Sequence, residues 1–272
     1  MNNKNSIKAF AKSKHINLDG FDTGFLSKTI HKRIVETNSN SENEYLNLLE
    51  KEADELAALH NSLYISYSEF FRNQLTFSVL EKIILPEIIL TKKNEHKKEI
   101  RIWSSACASG QEVYSVAILL NEILQEEFRE INFRIFATDY SQHQLSIAEK
   151  GQYSSLELNN VTLKQLNKWF DEIGNRYTVK EKIAENIHFS TFDLLSEEFS
   201  SPPTSIFGGF DIIFCANLLF YYKPEFQKKI LKKMTNSLSK NGYLIVSETE
   251  REILIKNNFQ EVFPQSGIFK KA

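Results

Sequence analysis

Cysteine is nearly absent: 272 residues contain only Cys107 and Cys215, each at the end of a predicted strand. Two such thiols make neither a disulfide framework nor a metal-ligand cluster, so no metal and a reducing, intracellular compartment are expected. No window is long and apolar enough to span a bilayer. The N-terminus, MNNKNSIKAFAKSK, lacks the apolar run of a signal peptide. The sequence therefore predicts a cytoplasmic protein without membrane insertion. Neither sign of charge dominates: 33 Lys and Arg against 35 Asp and Glu leave a net charge of −2. Bulk attraction to nucleic acid is excluded as a basis for function. There is no G-x-G-x-x-G, no internal repeat and no low-complexity tract. What is present is ordinary for a globular chain, 42% hydrophobic and 25% charged. That length can hold one large domain or two modest ones.

The rest is arranged around Ile100 to Leu120. Ile100, Ile102 and Trp103 read as a buried strand. The small residues Ala106-Cys107-Ala108-Ser109-Gly110 follow, and then an apolar helical period through Val113, Val116, Ala117 and Leu120. Strand, tight turn and helix form the first unit of a nucleotide-binding α/β sheet. Small side chains let a ligand approach the backbone, and the helix start offers free N–H groups.

Before this unit the chain reads as helical. Residues Met1 to about Lys14 are expected to be a frayed lead-in. A helix is predicted from Asp22 to Val35, with Lys28, His31, Lys32 and Arg33 as a basic flank. A second, capped by Ser41 or Asn43, should run through Tyr45, Leu49, Ala53 and Leu59. A third should run from about Glu69 to Ile89. A polar Thr91–Glu99 linker then divides an all-helical domain, 1–95, from a second domain, 96–272. In that domain strands and helices alternate. Strands are predicted at Phe133–Thr138, His188–Phe192, Phe210–Cys215 and Tyr243–Val246. A helix opens at Ser141. Another begins at Pro224, where the missing N–H costs nothing, and ends near Asn241-Gly242. The stretch Gly151–Ile187 breaks the rhythm with a helical piece at Leu163–Phe170 and a hairpin at Arg176–Val179. A loop spans Ser196–Gly209, and Asn258–Phe263 with Gly267–Phe269 should close the sheet as an antiparallel pair.

A parallel sheet binds its ligand outside the carboxyl ends of its strands. Four such ends carry small or polar residues: Ser105–Gly110, Asp139, Asp193 and Ala216-Asn217. Asp139 could accept both hydroxyls of a ribose, and it could equally serve as a helix cap, as could Ser141. Asp193 and Asn217 also suit turns.

The ordered set FFRN (Phe70–Asn73), IWSSACASGQEVYS (Ile102–Ser115), ATDYS (Ala137–Ser141), FCANLLFYY (Phe214–Tyr222) and NGYLIVSETE (Asn241–Glu250) resembles the CheR family. Its members are S-adenosylmethionine-dependent protein-glutamate methyltransferases of bacterial chemotaxis. The resemblance implies a helical N-terminal domain, a Rossmann-like class I methyltransferase sheet and a small β-subdomain within 151–187. It implies that Asp139 binds the ribose and Arg72 the cofactor's carboxylate, whose shape a guanidinium fork matches. Ser66 and Ser68 would add polar contacts. The turn from Ala106 to Gly110, with Gln111 and Glu112, would pass under the methionine moiety. Asp193-Leu194 and Ala216-Asn217 would flank the adenine and the sulfur. Tyr221 matches the active-site tyrosine near the transferred methyl. For Phe70, Phe71 and Trp103 core packing is the expected fate.

Such a reaction needs no Ser/His/Asp or metal constellation, because a glutamate with a pKa of about 4.3 is already ionised at neutral pH. Three departures from the family pattern stand out, one of them the lack of an arginine in the helix after Arg72, where the nearest basic residue, Lys82, is not given that role. Gln111 replaces an acid, and Ala216 replaces an arginine. They leave open a CheR-like adaptor with weakened catalysis, or a methyltransferase with another substrate. Chemoreceptor helices are the implied partner, with Lys28, His31, Lys32 and Arg33 as possible contacts, and a monomer is expected.

Overall fold

The structure is a computed structural model that describes residues 3–124, 128, 130–206 and 209–271. Residues 1–2 of the expected lead-in and 207–208 of the Ser196–Gly209 loop lie outside the described residues. The chain divides into two compact units, 1–65 with 220–227, and 66–219 with 228–272. None of the described helices is long and apolar enough to cross a membrane.

The first unit is helical: α1 (Asn3–Ser13), α2 (Thr23–Glu36), α3 (Glu42–Lys51) and α4 (Ala53–Ser62). The lead-in is thus a helix rather than frayed, because Ile7 and Ala11 are fully buried. Asp22 caps α2 by accepting the Phe25 N–H at 2.9 Å, and Ser41 caps α3. The single helix expected from Ser41 to Leu59 is two, broken at Glu52, whose backbone is extended. Arg33 is not a free basic group. Its guanidinium grips both oxygens of buried Glu55 at 2.9 and 2.5 Å, and Tyr45 donates to the same carboxylate at 2.6 Å. Phe21 stacks on Tyr222 at 5.2 Å, where the two residues also form an isolated antiparallel bridge.

The second unit opens with α5 (Gln74–Val79), a π-helical turn (Leu80–Ile84) and α6 (Leu85–Asn94). The predicted Glu69 start is corrected here. Phe70 and Phe71 precede the helix, whose cap is Asn73, and Phe71 has φ 48°. The wide turn falls just ahead of Pro86, which cannot supply the ordinary helical N–H, and Leu85 bonds back to Leu80 instead. Phe70, Leu80 and Ile84 enter the core of the sheet, so this segment belongs to the second unit and the compact units part at Ile65–Ser66, not near residue 95.

The sheet contains β1 (Glu99–Ser104), β2 (Asn132–Asp139), β6 (Ile187–Thr191), β7 (Phe210–Phe214), β8 (Leu238–Ile245), β9 (Phe259–Glu261) and β10 (Ile268–Lys271). Its order is β6-β2-β1-β7-β8-β10-β9, the first five parallel and the last two antiparallel. The connecting helices are α7 (Gln111–Leu124), α8 (Gln142–Lys150), α10 (Glu181–Ala184), α11 (Pro224–Ser237) and α12 (Arg251–Lys256). Strands buried on both faces read as the continuous apolar runs seen here, and all five residues of β7 are buried. Trp103 and Phe70 are fully buried, as their core assignment requires. Helix α11 stops at Ser237, earlier than expected, and Asn241-Gly242 lie inside β8. Within 151–187, α9 (Leu163–Trp169) accompanies a three-stranded antiparallel sheet of β3 (Gln152–Ser154), β5 (Arg176–Val179) and β4 (Phe170–Ile173).

Candidate functional site

The turn after β1 is fastened on several sides. The Ser105 N–H and hydroxyl both donate to the Phe214 carbonyl, at 3.0 and 2.7 Å, tying the ends of β1 and β7 together. Cys107 N–H donates to the Thr138 carbonyl. Ala108, at φ 47°, donates its N–H to Asp139 Oδ2 at 2.9 Å. The Tyr153 hydroxyl holds the Ser109 carbonyl at 2.7 Å. Gly110 has φ 91°, and a Cβ there would lie 2.9 Å from the Cβ of Ala148. At that position the close approach that requires glycine is made by α8.

Two adjoining cavities of about 420 and 40 Å³ lie at the carboxyl ends of β1 and β7. Both are walled by Arg72, Phe77, Glu112, Ala216 and Asn217, and the larger falls within the ~300–1,000 Å³ usual for small-molecule sites. Ala106 and Ser68 line the smaller one. Ser68 Oγ also accepts the Glu112 N–H, a long contact of 3.4 Å. Arg72 is exposed, with its guanidinium 4.9 Å above the Tyr67 ring. Burial pushes the Glu112 carboxyl up to about 7, against the opposing effects of the Ser104 hydroxyl and the Arg72 charge. Ser104 donates to Glu112 Oε1 at 2.8 Å.

Gln111 points elsewhere. It is 3% exposed, accepts the Ser109 hydroxyl at 2.8 Å and lines neither cavity. The acid missing at Gln111 is therefore not missing from these cavity walls, where Glu112 stands. Among the lining residues Arg72 is the one cation.

Asp139 ends β2 with both oxygens in use. Oδ1 accepts the Ser141 N–H at 2.8 Å and Oδ2 that of Ala108. The α8 cap is Ser141. Burial raises the Asp139 carboxyl above its ordinary range, against those backbone bonds. Each oxygen keeps a second lone pair, so hydroxyl donors can still be accepted. Asp193 is exposed and holds the Leu195 N–H at 2.8 Å as a turn residue, while Leu194 is buried. Ser66 is half-buried and lines neither cavity. Tyr221 ends a short 3-10 turn and belongs to the helical unit, its ring 4.7 Å from Phe25.

The loop after β7 is held by a residue that sequence reasoning missed, Glu250, which follows β8. Asn217 has φ 59°, and its N–H is taken by the carboxylate of Glu250 at 2.8 Å. Asn217 in the cleft wall and Ala108 in the turn after β1 are both non-glycine residues in the left-handed region. Such strain concentrates at functional sites. Cys107 and Cys215 are both buried, and burial pushes each thiol up.

A wound α/β sheet of this order, with a small-residue turn after β1 and an acid closing β2, defines the S-adenosylmethionine-dependent methyltransferase class. Residues 66–268 match the family profile described as CheR methyltransferase, SAM binding domain. The chain belongs to the CheR methyltransferase family, and its cofactor is S-adenosylmethionine. It is 32% identical over 207 residues to the chemotaxis protein methyltransferase Cher2 of Pseudomonas putida, covering 75% of this chain and 72% of that one. It is 30% identical to the chemotaxis protein methyltransferase of Borreliella burgdorferi, over 81% of this chain and 77% of that one. A 104.1 kDa uncharacterised protein of Rhodobacter capsulatus matches at 28% identity over 97% of this chain, which spans 27% of that longer protein. The solved magnesium protoporphyrin IX methyltransferase of Synechocystis PCC 6803, with bound SAM, aligns at 15% identity over 73% of this chain and 77% of its own. The TM-score of that alignment is 0.32.

Proposed function

We propose that this protein transfers the methyl group of S-adenosylmethionine to glutamate side-chain carboxylates of chemoreceptors, forming methyl esters. The observation that carries the reading is the pairing of Arg72 and Glu112 in the walls of the same cleft. The donor has both a carboxylate and an ammonium, and a guanidinium and a carboxyl group are the side chains that complement them. Bound there, the donor supplies a methyl already activated by its sulfonium.

The chain's own residues then orient and desolvate. Arg72 takes the donor's carboxylate, Glu112 its ammonium and Asp139 the ribose. Ser68, Ala106, Gly110 and Gln111 build or brace the turn beneath it, Ser66 adds a polar contact, and Asp193, Leu194, Ala216 and Asn217 flank the adenine and sulfur. Tyr221, matched to the family's active-site tyrosine, is the proposed catalytic residue beside the methyl. Alignment of this kind contributes up to about 7–11 kcal/mol in well-oriented systems, without a general base.

The names of the relatives support a role in chemotaxis. The exposed Lys28, His31 and Lys32 are the proposed contacts to acidic receptor helices, with Arg33 set aside because it is bound to Glu55. Incubation with labelled donor and a purified receptor cytoplasmic domain tests the reading. Base-labile label on the receptor is expected. Base-stable label, or none, would overturn the glutamate ester.

A further inference from the structure

We propose that Glu250 is a positioning residue for the donor site, its ionised side chain fixing the loop that presents Ala216 and Asn217 to the cleft. The inference rests on the reading of that cleft as the S-adenosylmethionine site. Glu250 is fully buried and lines neither cavity. Its Oε1 accepts the N–H groups of Leu218 and Leu219, each at 2.6 Å. Its Oε2 accepts the N–H of Asn217 at 2.8 Å, and the N–H and hydroxyl of Ser247 at 3.0 and 2.6 Å. Five neutral donors thus converge on one carboxylate.

A buried carboxylate is costly unless its lone pairs are filled, and here they are. Three successive amides turned toward one point form an anion-binding nest. At the mouth of a parallel strand such a nest would ordinarily be free to bind an anionic ligand. In this chain the nest is filled from within. The donor's carboxylate is thereby denied these amides and left to Arg72. The same grip holds Asn217 at φ 59°, in the left-handed region. Glu250 therefore acts through Asn217, and two residues beyond the clasped Leu219 the chain reaches Tyr221.

Glu250→Gln separates charge from shape, since an amide keeps the volume but turns an N–H₂ toward N–H donors. Asp211→Asn is the matched control. Asp211 is another buried carboxylate, bonded to the Arg101 N–H and to Lys92 at 2.9 and 2.8 Å, but at the opposite, amino end of β7. Both variants should lose thermal stability. Only Glu250→Gln should weaken S-adenosylhomocysteine binding by calorimetry, about tenfold or more, and raise KM for the donor more than it lowers kcat. Glu250→Asp, which keeps the charge, should recover part of the affinity. Parent-like affinity in Glu250→Gln, or equal weakening in Asp211→Asn, overturns the positioning role while leaving the cleft assignment standing. Failure of the parent protein to bind S-adenosylhomocysteine instead removes the cleft assignment, and this inference with it.

Discussion

The Asp139 carboxylate and the Ala108 N–H are joined at 2.9 Å, across 31 positions of sequence. Ala108 occupies a left-handed conformation, so the acid closing β2 also fixes the turn after β1. Asp139 lines neither cavity itself, so its hold on the turn is separate from the proposed ribose contact. Asp139→Ala should therefore do two things together. Affinity for S-adenosylhomocysteine should fall more than tenfold by calorimetry, and stability should fall by about 2–3 kcal/mol in urea, since two charged hydrogen bonds are lost. A variant that binds the donor product as the parent does would dismiss Asp139 from the site.

Glu112 predicts a pH dependence. Its carboxyl is raised to about 7, so the folded chain holds this proton where the unfolded chain has lost it. That contribution to stability is present in full below about 4.5 and is lost as pH rises through about 7. Donor binding should run the other way, tightening by roughly tenfold between pH 6 and 8 as Glu112 ionises against the ammonium. Glu250, which also raises Glu112, is buried. In Glu112→Gln the calorimetric profile should be flat and weaker.

Gly110→Ala meets Ala148 and a φ of 91° at once. A loss of about 1–3 kcal/mol is expected, with weaker donor binding. Adding Ala148→Gly should relieve only the closest contact, leaving the Tyr153 hydroxyl at 3.2 Å, the Cα of residue 148 at 3.3 Å and the backbone strain. Full recovery in urea unfolding would show that the strain is negligible.

In the helical unit, Glu55→Ala strands the Arg33 guanidinium, and removing one partner of a buried pair costs about 3–5 kcal/mol. Arg33 is partly exposed, so the lower end of that range is expected. By contrast, the triple change of Lys28, His31 and Lys32 to alanine should leave the unfolding midpoint nearly unchanged. It should raise KM for a receptor fragment several-fold without altering donor affinity. An unchanged KM would remove these three as receptor contacts.

The β1–turn–α7 unit was legible because strand and helix periods are local properties of sequence. The strands at Phe133 and Phe210 and the antiparallel close were legible for the same reason. The break at Glu52 carries neither glycine nor proline, and nothing local marks it. The π turn did have a signal, Pro86, whose missing N–H displaces the preceding turn. Gln111 and Glu112 are neighbours on a helix, about 100° apart, and only packing against Glu157 and the cleft tells which one faces inward. Glu250 was invisible for a different reason. Ser247, three residues back, is its one local partner and reads only as a helix cap; the three loop partners lie 31–33 residues away and are backbone amides, which every sequence possesses.

The pair of thiols has a practical consequence. Cys107 sits in the turn after β1 and Cys215 at the end of β7, both sealed from solvent. An alkylating reagent can reach either only when its segment breathes. Labelling rates at these sulfurs would clock the opening of the cleft floor without any added probe, and occupancy by the methyl donor should slow that clock.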